Sequence, residues 1–208
     1  MERRDNYQLQ VAQAKRRFLT YDQETLIRKC NLQADGQYIY VNLLCKLYRI
    51  HRTTGDFSRQ QGTQWVDGNS HGEVLTILDL ICDSKEDRHL SGRWQSMESF
   101  GHTFHRSLLD KKDPVACRID ADPEGFRRAC RALNAIALDG GDIGYAVELF
   151  ENLRVGLLFW HGDEEFYPRL RYVWDANAGM YLRYETMFYA LGLLNRILTE
   201  EMENPRGM

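Results

Sequence analysis

The sequence predicts an α+β fold, in which antiparallel β-meanders pack against helices in a single domain. Three observations lead to this prediction. Three short segments rich in apolar residues follow one another between Tyr145 and Asp175, and polar residues separate them. This pattern is typical of strands. A second strand-like region comes after Asp35-Gly36. Apolar residues recur at helical spacing before, between and after these regions.

The stretch from Tyr145 to Asp175 is predicted to form three sequential antiparallel strands. The first segment alternates and is interrupted at Asn152. The run from Val155 to Trp160 is apolar throughout, which suits a central strand covered on both faces. Alternation resumes from Arg169 to Trp174, directly after Pro168, whose missing N–H is tolerated at the start of a strand.

A second β-unit is predicted between Tyr38 and Phe57. The strand-like pattern runs from Tyr38 to Leu44 and resumes from Lys46 to Phe57, with a turn signal at Thr54-Gly55-Asp56. These segments predict another hairpin or meander.

Helices are predicted in the middle of the chain and towards both ends. Ser70-His71-Gly72-Glu73 is a capping box, in which the Ser hydroxyl and the Glu carboxylate satisfy free N–H groups of the first turn. The subsequent run Val74–Ile81 is apolar nearly all round, so this helix is expected to be buried. Asp122-Pro123-Glu124 is a second start signal, for a helix with a buried stripe that reaches Ala137. The other predicted helices span Tyr7–Phe18, Gln23–Cys30 and Tyr181–Glu201.

The composition is that of a globular, intracellular protein. A chain of 208 residues with 43% hydrophobic residues can bury one sizeable core. Its net charge of −3 gives no general attraction to nucleic acid or acidic membranes, and no apolar run reaches the length of a membrane span. The N-terminus is polar, and the five scattered cysteines lack a C-x-x-C motif, as expected of free thiols in a reducing compartment. We therefore expect a cytoplasmic protein, with residues 1–208 forming one domain, a frayed tail at 203–208, and neither a nucleic-acid nor a membrane partner.

A group of polar residues near the predicted meander is the first candidate site. His161, Asp163, Glu164 and Asp175 come after predicted strands and are expected to gather at one rim of the sheet. Glu185, near the start of the last helix, is expected to reach the same rim. An imidazole with carboxylates suits a transition metal or an acid/base pair. The same residues fit an acidic hairpin loop without function, and both interpretations are open.

Aromatic, histidine and arginine side chains supply a second candidate, a ligand-binding site. His102 and His105 share a face if their segment is helical. A metal usually needs three or four ligands, so no metal is predicted there. Arg127 and Arg131 share a helix face and match phosphate or carboxylate, although a solvated face is the alternative. The candidate ligand-binding residues are Trp94, His102, His105, Arg127, Arg131 and Trp160.

Several segments carry a resemblance to a bacterial domain family of unknown function. They read L-L-F-W-H-G-D-E-E-F-Y-P, V-W-D-A-N-A and Y-L-R-Y-E-T, with H-G-E-V-L-T-I-L-D-L-I-C-D and L-S-G-R-W-Q-S earlier in the chain. The resemblance covers roughly residues 5–200. Members of the family resemble proteins of anaerobic bacteria and archaea, and some are joined to an iron–sulphur-binding segment like that of corrinoid proteins. The resemblance implies a redox or corrinoid protein as a partner, and it carries over no catalytic residues.

Three functions fit these features. The preferred one is a ligand-binding or accessory domain that accepts an anionic cofactor or partner, whose identity is unknown. The second is a metal-dependent or acid/base enzyme that uses the rim of His161, Asp163, Glu164 and Asp175. The third is a protein-interaction module without a small-molecule site. The sequence gives no prediction of the oligomeric state.

Overall fold

The residues that the structure describes form two sheets and six helices in two compact units. The computed structural model describes residues 2–100 and 113–203, with side chains from residue 6 onward. The first unit comprises Met1–His89 and Met180–Leu193, and the second comprises Leu90–Gly179 and Leu194–Met208. Each unit contains one five-stranded antiparallel sheet. The predicted α+β class with antiparallel meanders is therefore confirmed, whereas the single domain over residues 1–208 stays a prediction.

The sheet of the first unit is a meander of consecutive strands. Its strands, in spatial order, are β1 (Gln33–Ala34), β2 (Tyr38–Leu43), β3 (Lys46–His51), β4 (Phe57–Gln61) and β5 (Gln64–Val66). Ile39 is paired with Ile50, and both are buried on the face that forms the core. The predicted hairpin is confirmed, but the sheet continues into β4 and β5. Their segment F-S-R-Q-Q is too polar to show the alternation of a half-buried strand.

The first unit also contains three helices and the first half of a fourth. They are α1 (Glu2–Phe18), α2 (Gln23–Lys29), α3 (His71–Leu78) and α6 (Tyr184–Glu203). The predicted capping box is present, because the Glu73 N–H donates to the Ser70 hydroxyl at 3.3 Å and the Ser70 N–H donates to the Glu73 carboxylate at 2.7 Å. The sequence did not predict the geometry at the end of α3. The helix widens there into a π-helix over Asp79–Asp83, a rare geometry that is frequent at functional sites.

Helix α2 supports the widened end of the π-helix. The Lys29 ammonium donates to the carbonyl oxygens of Cys82 and Ser84, at 3.1 and 3.0 Å. The Cys30 sulphur lies 3.8 Å from the Ile81 carbonyl oxygen. These side chains reach carbonyl groups at the end of a helix, where partners within the helix are missing.

The second unit contains the predicted three-stranded meander with a short strand added at each edge. Its strands are β6 (Trp94–Ser96), β7 (Ile136–Ala137), β8 (Ile143–Phe150), β9 (Leu153–Trp160) and β10 (Arg169–Asp175), in the spatial order β6-β10-β9-β8-β7. The apolar strand β9 is central, as predicted. Glycine is required at Gly156 in this strand, because a Cβ atom there would lie 2.4 Å from the Val173 side chain.

Two helices and the second half of α6 complete the second unit. They are α4 (Pro114–Ala121), which the sequence did not predict, and α5 (Pro123–Ala132). The predicted start signal of α5 is confirmed, because the Gly125 N–H donates to the Asp122 carboxylate at 2.8 Å. Helix α5 ends earlier than predicted, since Asn134 has a positive φ of 52° and Ile136 joins a strand. Two short 3₁₀ segments, Met97–Phe100 and Ala178–Met180, account for the remaining helical residues of the described chain.

Removal of the Glu73 carboxylate is expected to destabilise the first unit. This buried side chain accepts hydrogen bonds from the Tyr48 hydroxyl at 2.8 Å and from the Arg59 guanidinium at 2.9 Å. Glu73→Ala leaves both donors without this acceptor, so we expect the free energy of unfolding to fall by about 3–5 kcal/mol. The measurement is urea denaturation. The exposed Glu86 gives the matched control, Glu86→Ala, with an expected change of about 0.5 kcal/mol or less. Equal urea midpoints for the two variants would show that Glu73 does not join α3 to the sheet.

Candidate functional site

A pair of carboxyl groups on the π-helix of the first unit forms the candidate site. The Asp79 side chain is completely buried, and that of Asp83 is 15% exposed. Asp83 raises the pKa of Asp79, and Asp79 lowers the pKa of Asp83. Two carboxyl groups that interact in this way take up and release protons as a pair.

Helix α1 and the residues after it hold Asp83 in its charged form. The Arg17 guanidinium donates to both carboxylate oxygens of Asp83, at 2.8 Å from Nη1 and through a second bond from Nη2. The Tyr21 hydroxyl donates to Asp83 Oδ1 at 3.0 Å. A bidentate guanidinium–carboxylate pair is among the strong hydrogen-bonded contacts in proteins, and it favours the ionised carboxylate.

The start of helix α6 approaches the pair from another direction. The backbone N–H of Arg183 donates to Asp79 Oδ2 at 2.9 Å, and its Nε donates to Oδ1 at 2.8 Å. The Thr186 side chain acts on Asp79 in the same sense as Arg183, because both lower its pKa. Arg183 Nη2 lies 3.4 Å from Asp83 Oδ2, so one guanidinium spans both carboxyl groups.

The environment moves the pKa values of the two carboxyl groups in opposite directions. Burial raises the pKa of Asp79, and the hydrogen bond with Asp83 raises it further, against the effect of the Thr186 and Arg183 donors. Burial also opposes the ionisation of Asp83, but hydrogen bonds from Asp79, Arg17 and Tyr21 outweigh it and hold the pKa of Asp83 below its usual range. Asp79 is therefore the first of the two carboxyl groups to take up a proton as the pH falls.

A small cleft runs alongside the carboxyl pair. Its volume is about 30 Å³, which holds about two water molecules. The side chains of Arg17 and Arg183 are 49% and 63% exposed, so both guanidiniums reach solvent. The cleft is lined by Ala14, Arg17, Leu75, Leu78, Asp79, Cys82, Asp83 and Arg183. Burial raises the pKa of Cys82 to about 12, so its thiol stays protonated in neutral solution and is not a nucleophile.

The predicted rim of the other sheet does not form. Trp160, beside His161, pairs with Arg169 at the start of β10, whereas Asp175 ends the same strand. His161 and Asp175 are thus about 20 Å apart along the strand direction. The prediction that they gather at one rim is wrong, because an antiparallel hairpin brings the beginning of β10, not its end, beside the end of β9.

Asp175 has a structural role at its own end of the sheet. Its carboxylate accepts the backbone N–H groups of Ser91, Gly92 and Asn177 at 2.8–2.9 Å. Although burial opposes ionisation, these donors hold the pKa of Asp175 below its usual range. The carboxylate therefore ties the segment before β6 to the end of β10.

The other predicted rim residues lie in a turn or point to solvent. The Asp163 carboxylate accepts the N–H groups of Glu165 and Phe166 at 2.8 and 2.7 Å, so it closes its own turn. Glu164 is exposed. Glu185 is an exposed residue in the first turn of α6, in the part of that helix that belongs to the first unit.

His161 has a carboxylate partner that the sequence did not indicate. Its Nδ1 lies 2.8 Å from Asp120 Oδ1 on α4, and its backbone N–H donates to Asp142 at 2.8 Å. A proton on Nδ1 that is donated to Asp120 leaves Nε2 as an acceptor, which is the arrangement of a general base. An acid/base role for His161 stays a prediction, with Asp120 and not Asp175 beside it.

The four predicted ligand-binding residues that the structure describes do not gather around one ligand. Trp94 is on β6, which pairs with β10, and its side chain lies 3.4 Å from where a Cβ atom on Gly156 in the middle of β9 would be. Trp160 is the last residue of β9. Arg127 forms an ion pair with Glu124 at 3.2 Å, and Arg131 is exposed. His102 and His105 lie outside the residues that the structure describes.

Two further features bear on the class of protein. Within residues 2–100 and 113–203, no three His, Cys, Asp or Glu side chains are grouped so that they can hold a metal ion. Over the same residues, every helix is too short or too polar to cross a membrane.

One signal in the sequence points to the carboxyl pair. Asp79 interrupts a run that is apolar nearly all round, and a carboxyl group in a buried helix requires partners. The partners themselves could not be identified, because Arg17 is 66 residues away from Asp83 and Arg183 is 104 residues away from Asp79.

The fold and the site define an α+β domain with two antiparallel meanders and a largely buried pair of carboxyl groups that two arginines contact. The chain belongs to the family Domain of unknown function (DUF3786), which it matches over residues 22–196. The resemblance to a domain family of unknown function is therefore confirmed. The matched range includes Asp79, Asp83 and Arg183, whereas Arg17 precedes it. No curated protein and no solved structure matches the chain.

Asp79→Asn is expected to make stability less dependent on pH. Because the pKa of Asp79 is raised on folding, its contribution to stability is complete below its ordinary value of 3.8 and is lost as the pH rises through its folded value. The lowered pKa of Asp83 acts in the opposite sense, since its contribution is lost as the pH falls. Asparagine imitates the protonated acid and has no proton to lose, so we expect the variant to gain stability over the wild type as the pH rises.

The measurement is the free energy of unfolding in urea, from a pH at the ordinary aspartic acid value of 3.8 to neutral solution. The matched control is Asp67→Asn, at an exposed position of the same unit, where we expect a curve parallel to that of the wild type. Parallel curves for Asp79→Asn and the wild type would contradict the assignment of the proton to Asp79.

Proposed function

We propose that this protein is a ligand-binding domain, and that it binds a small anion in the cleft between Arg17 and Arg183. One observation carries the proposal. Two guanidiniums that are about half exposed line a cleft that also contains the carboxyl pair. A guanidinium matches the geometry of carboxylate and phosphate oxygens, and it is the usual side chain for their recognition.

The exposure of the two guanidiniums supports an anionic ligand. The Arg17 and Arg183 side chains are 49% and 63% exposed, whereas the Asp83 and Asp79 side chains that they contact are 15% and 0% exposed. An anion at the mouth of the cleft therefore meets the guanidiniums before it meets the carboxyl groups, and a guanidinium matches carboxylate and phosphate oxygens.

The carboxyl pair gives the site a chemical capacity beyond binding, because Asp79 can take up and release a proton. A protonated Asp79 is an acid held within the same cluster as the two guanidiniums. Its raised pKa brings its proton exchange closer to neutral pH than that of an ordinary aspartic acid. The site can therefore bind an anion and supply a proton beside it.

We also propose a cellular setting, the cytoplasm of an anaerobic bacterium, where the domain accompanies a redox or corrinoid protein. The support is the resemblance of family members to proteins that are joined to an iron–sulphur-binding segment. A corrinoid absorbs visible light, so complex formation can be followed by size-exclusion chromatography of the protein mixed with a purified corrinoid protein. Co-elution of the visible absorbance with this chain is expected, and separate elution at high protein concentration would contradict the proposed partner.

Replacement of Arg183 is expected to weaken anion binding. Arg183→Ala removes one charge-assisted donor, which contributes about 1.5–3 kcal/mol in other proteins, so we expect affinity for the anion to fall about 10- to 100-fold. The measurement is isothermal titration calorimetry at low ionic strength, with acetate and inorganic phosphate as probe anions. Arg183→Lys keeps the charge without the planar fork and is expected to give an intermediate affinity.

Two controls separate binding from folding. Arg28→Ala removes an exposed arginine of the same unit and is expected to leave affinity unchanged. Thermal unfolding of each variant shows whether the first unit is intact. We expect the unit to stay folded, because the backbone N–H of residue 183 keeps its bond to Asp79 in any substitution of Arg183 except proline. The absence of binding of either probe to the wild type, or equal affinity for the wild type and a folded Arg183→Ala variant, would exclude this anion site.

A further inference from the structure

We infer that the anion bound by the first unit is a short-chain monocarboxylate of about the size of acetate. The inference rests on the proposed anion site and adds the chemical class of its ligand. Three properties of the cleft support it, namely its size, its charge and the apolar side chains that line one part of it.

The size of the cleft excludes large ligands. A volume of about 30 Å³ corresponds to about two water molecules, which a ligand of three or four non-hydrogen atoms replaces. Nucleotides and most organic cofactors are too large to enter it. The exposed parts of Arg17 and Arg183 allow a ligand to extend towards solvent only at the mouth.

The charges of the cluster favour a ligand with a single negative charge over one with two. Asp79 and Asp83 already place two carboxyl groups beside the guanidinium of Arg183. A dianion such as hydrogen phosphate brings one more negative charge than a monoanion beside the completely buried Asp79, which is unfavourable in surroundings of low dielectric.

The lining of the cleft divides into a polar part and an apolar part. The guanidiniums and carboxyl groups form the first part, and Ala14, Leu75 and Leu78 form the second. A fully polar anion such as bicarbonate leaves the apolar side chains without a complementary group. A carboxylate with one or two carbons beyond the head group places its oxygens against the arginines and its alkyl end against these side chains.

The test is a series of calorimetric titrations with formate, acetate, propionate and butanoate, together with bicarbonate, phosphate and sulphate. A methyl group buried from water contributes about fourfold in affinity, so acetate is expected to bind about fourfold more tightly than formate. Affinity is expected to level off or fall at butanoate, which exceeds the cleft. Bicarbonate, phosphate and sulphate are expected to bind more weakly than acetate.

A substitution in the apolar lining provides the matched variant. Leu75→Asn makes the apolar part of the cleft polar at a half-buried position, so we expect the preference for acetate over formate to disappear. Leu47→Asn changes a half-buried leucine of the same unit on strand β3 and is expected to keep that preference. If Leu75→Asn does not unfold cooperatively, Leu75→Ala takes its place. We expect Leu75→Ala to reduce the preference for acetate over formate.

The outcomes distinguish this inference from the proposed function. The ligand is not a monocarboxylate if affinity is independent of chain length, or if phosphate or sulphate binds more tightly than acetate. Either result leaves the proposed anion site in place. If none of the seven anions binds, or if binding is unchanged in Arg183→Ala, both the inference and the proposed function are overturned.

Discussion

The contact of Asp79 and Asp83 with two arginines is the constraint on which the first unit depends. Two carboxyl groups can lie together in a buried helix only if cations or a bound proton balance their charges. Arg17 from α1 and Arg183 from the start of α6 supply the cations. One hydrogen-bonded cluster thereby connects three helical segments that are distant in sequence, and its removal would leave buried charges without partners.

The π-helix gives this cluster its setting. Asp79 and Asp83 begin and end the widened segment, and Lys29 reaches the carbonyl groups at its end. The last carbonyl groups of a helix lack partners within the helix, and Lys29 from α2 supplies a donor to them here. The contacts of Lys29 therefore help to hold the widened turn. The cleft beside this turn has an apolar side and a charged side.

The carboxylates of the second unit illustrate a different use of the same chemistry. Asp175, Asp163 and Asp122 each accept backbone N–H groups and thereby fix a strand end, a turn and a helix start. His161 with Asp120 is the arrangement in this unit that resembles an acid/base site. An acidic residue in a sequence can therefore be assigned a structural role or an acid/base role only when the hydrogen-bond donors around it are known.

The sequence by itself determined the features that depend on neighbouring residues. The capping box at Ser70, the start signal at Asp122 and the alternation within the two meanders act over a few residues, so they specified the fold class and most helix starts. The tertiary structure decided which side chains meet. The register of β10 separates Asp175 from His161, α4 brings Asp120 to His161, and contacts across 66 and 104 residues build the carboxyl cluster. These contacts result from how distant segments pack, and a periodic pattern within one segment contains no information about its distant partners.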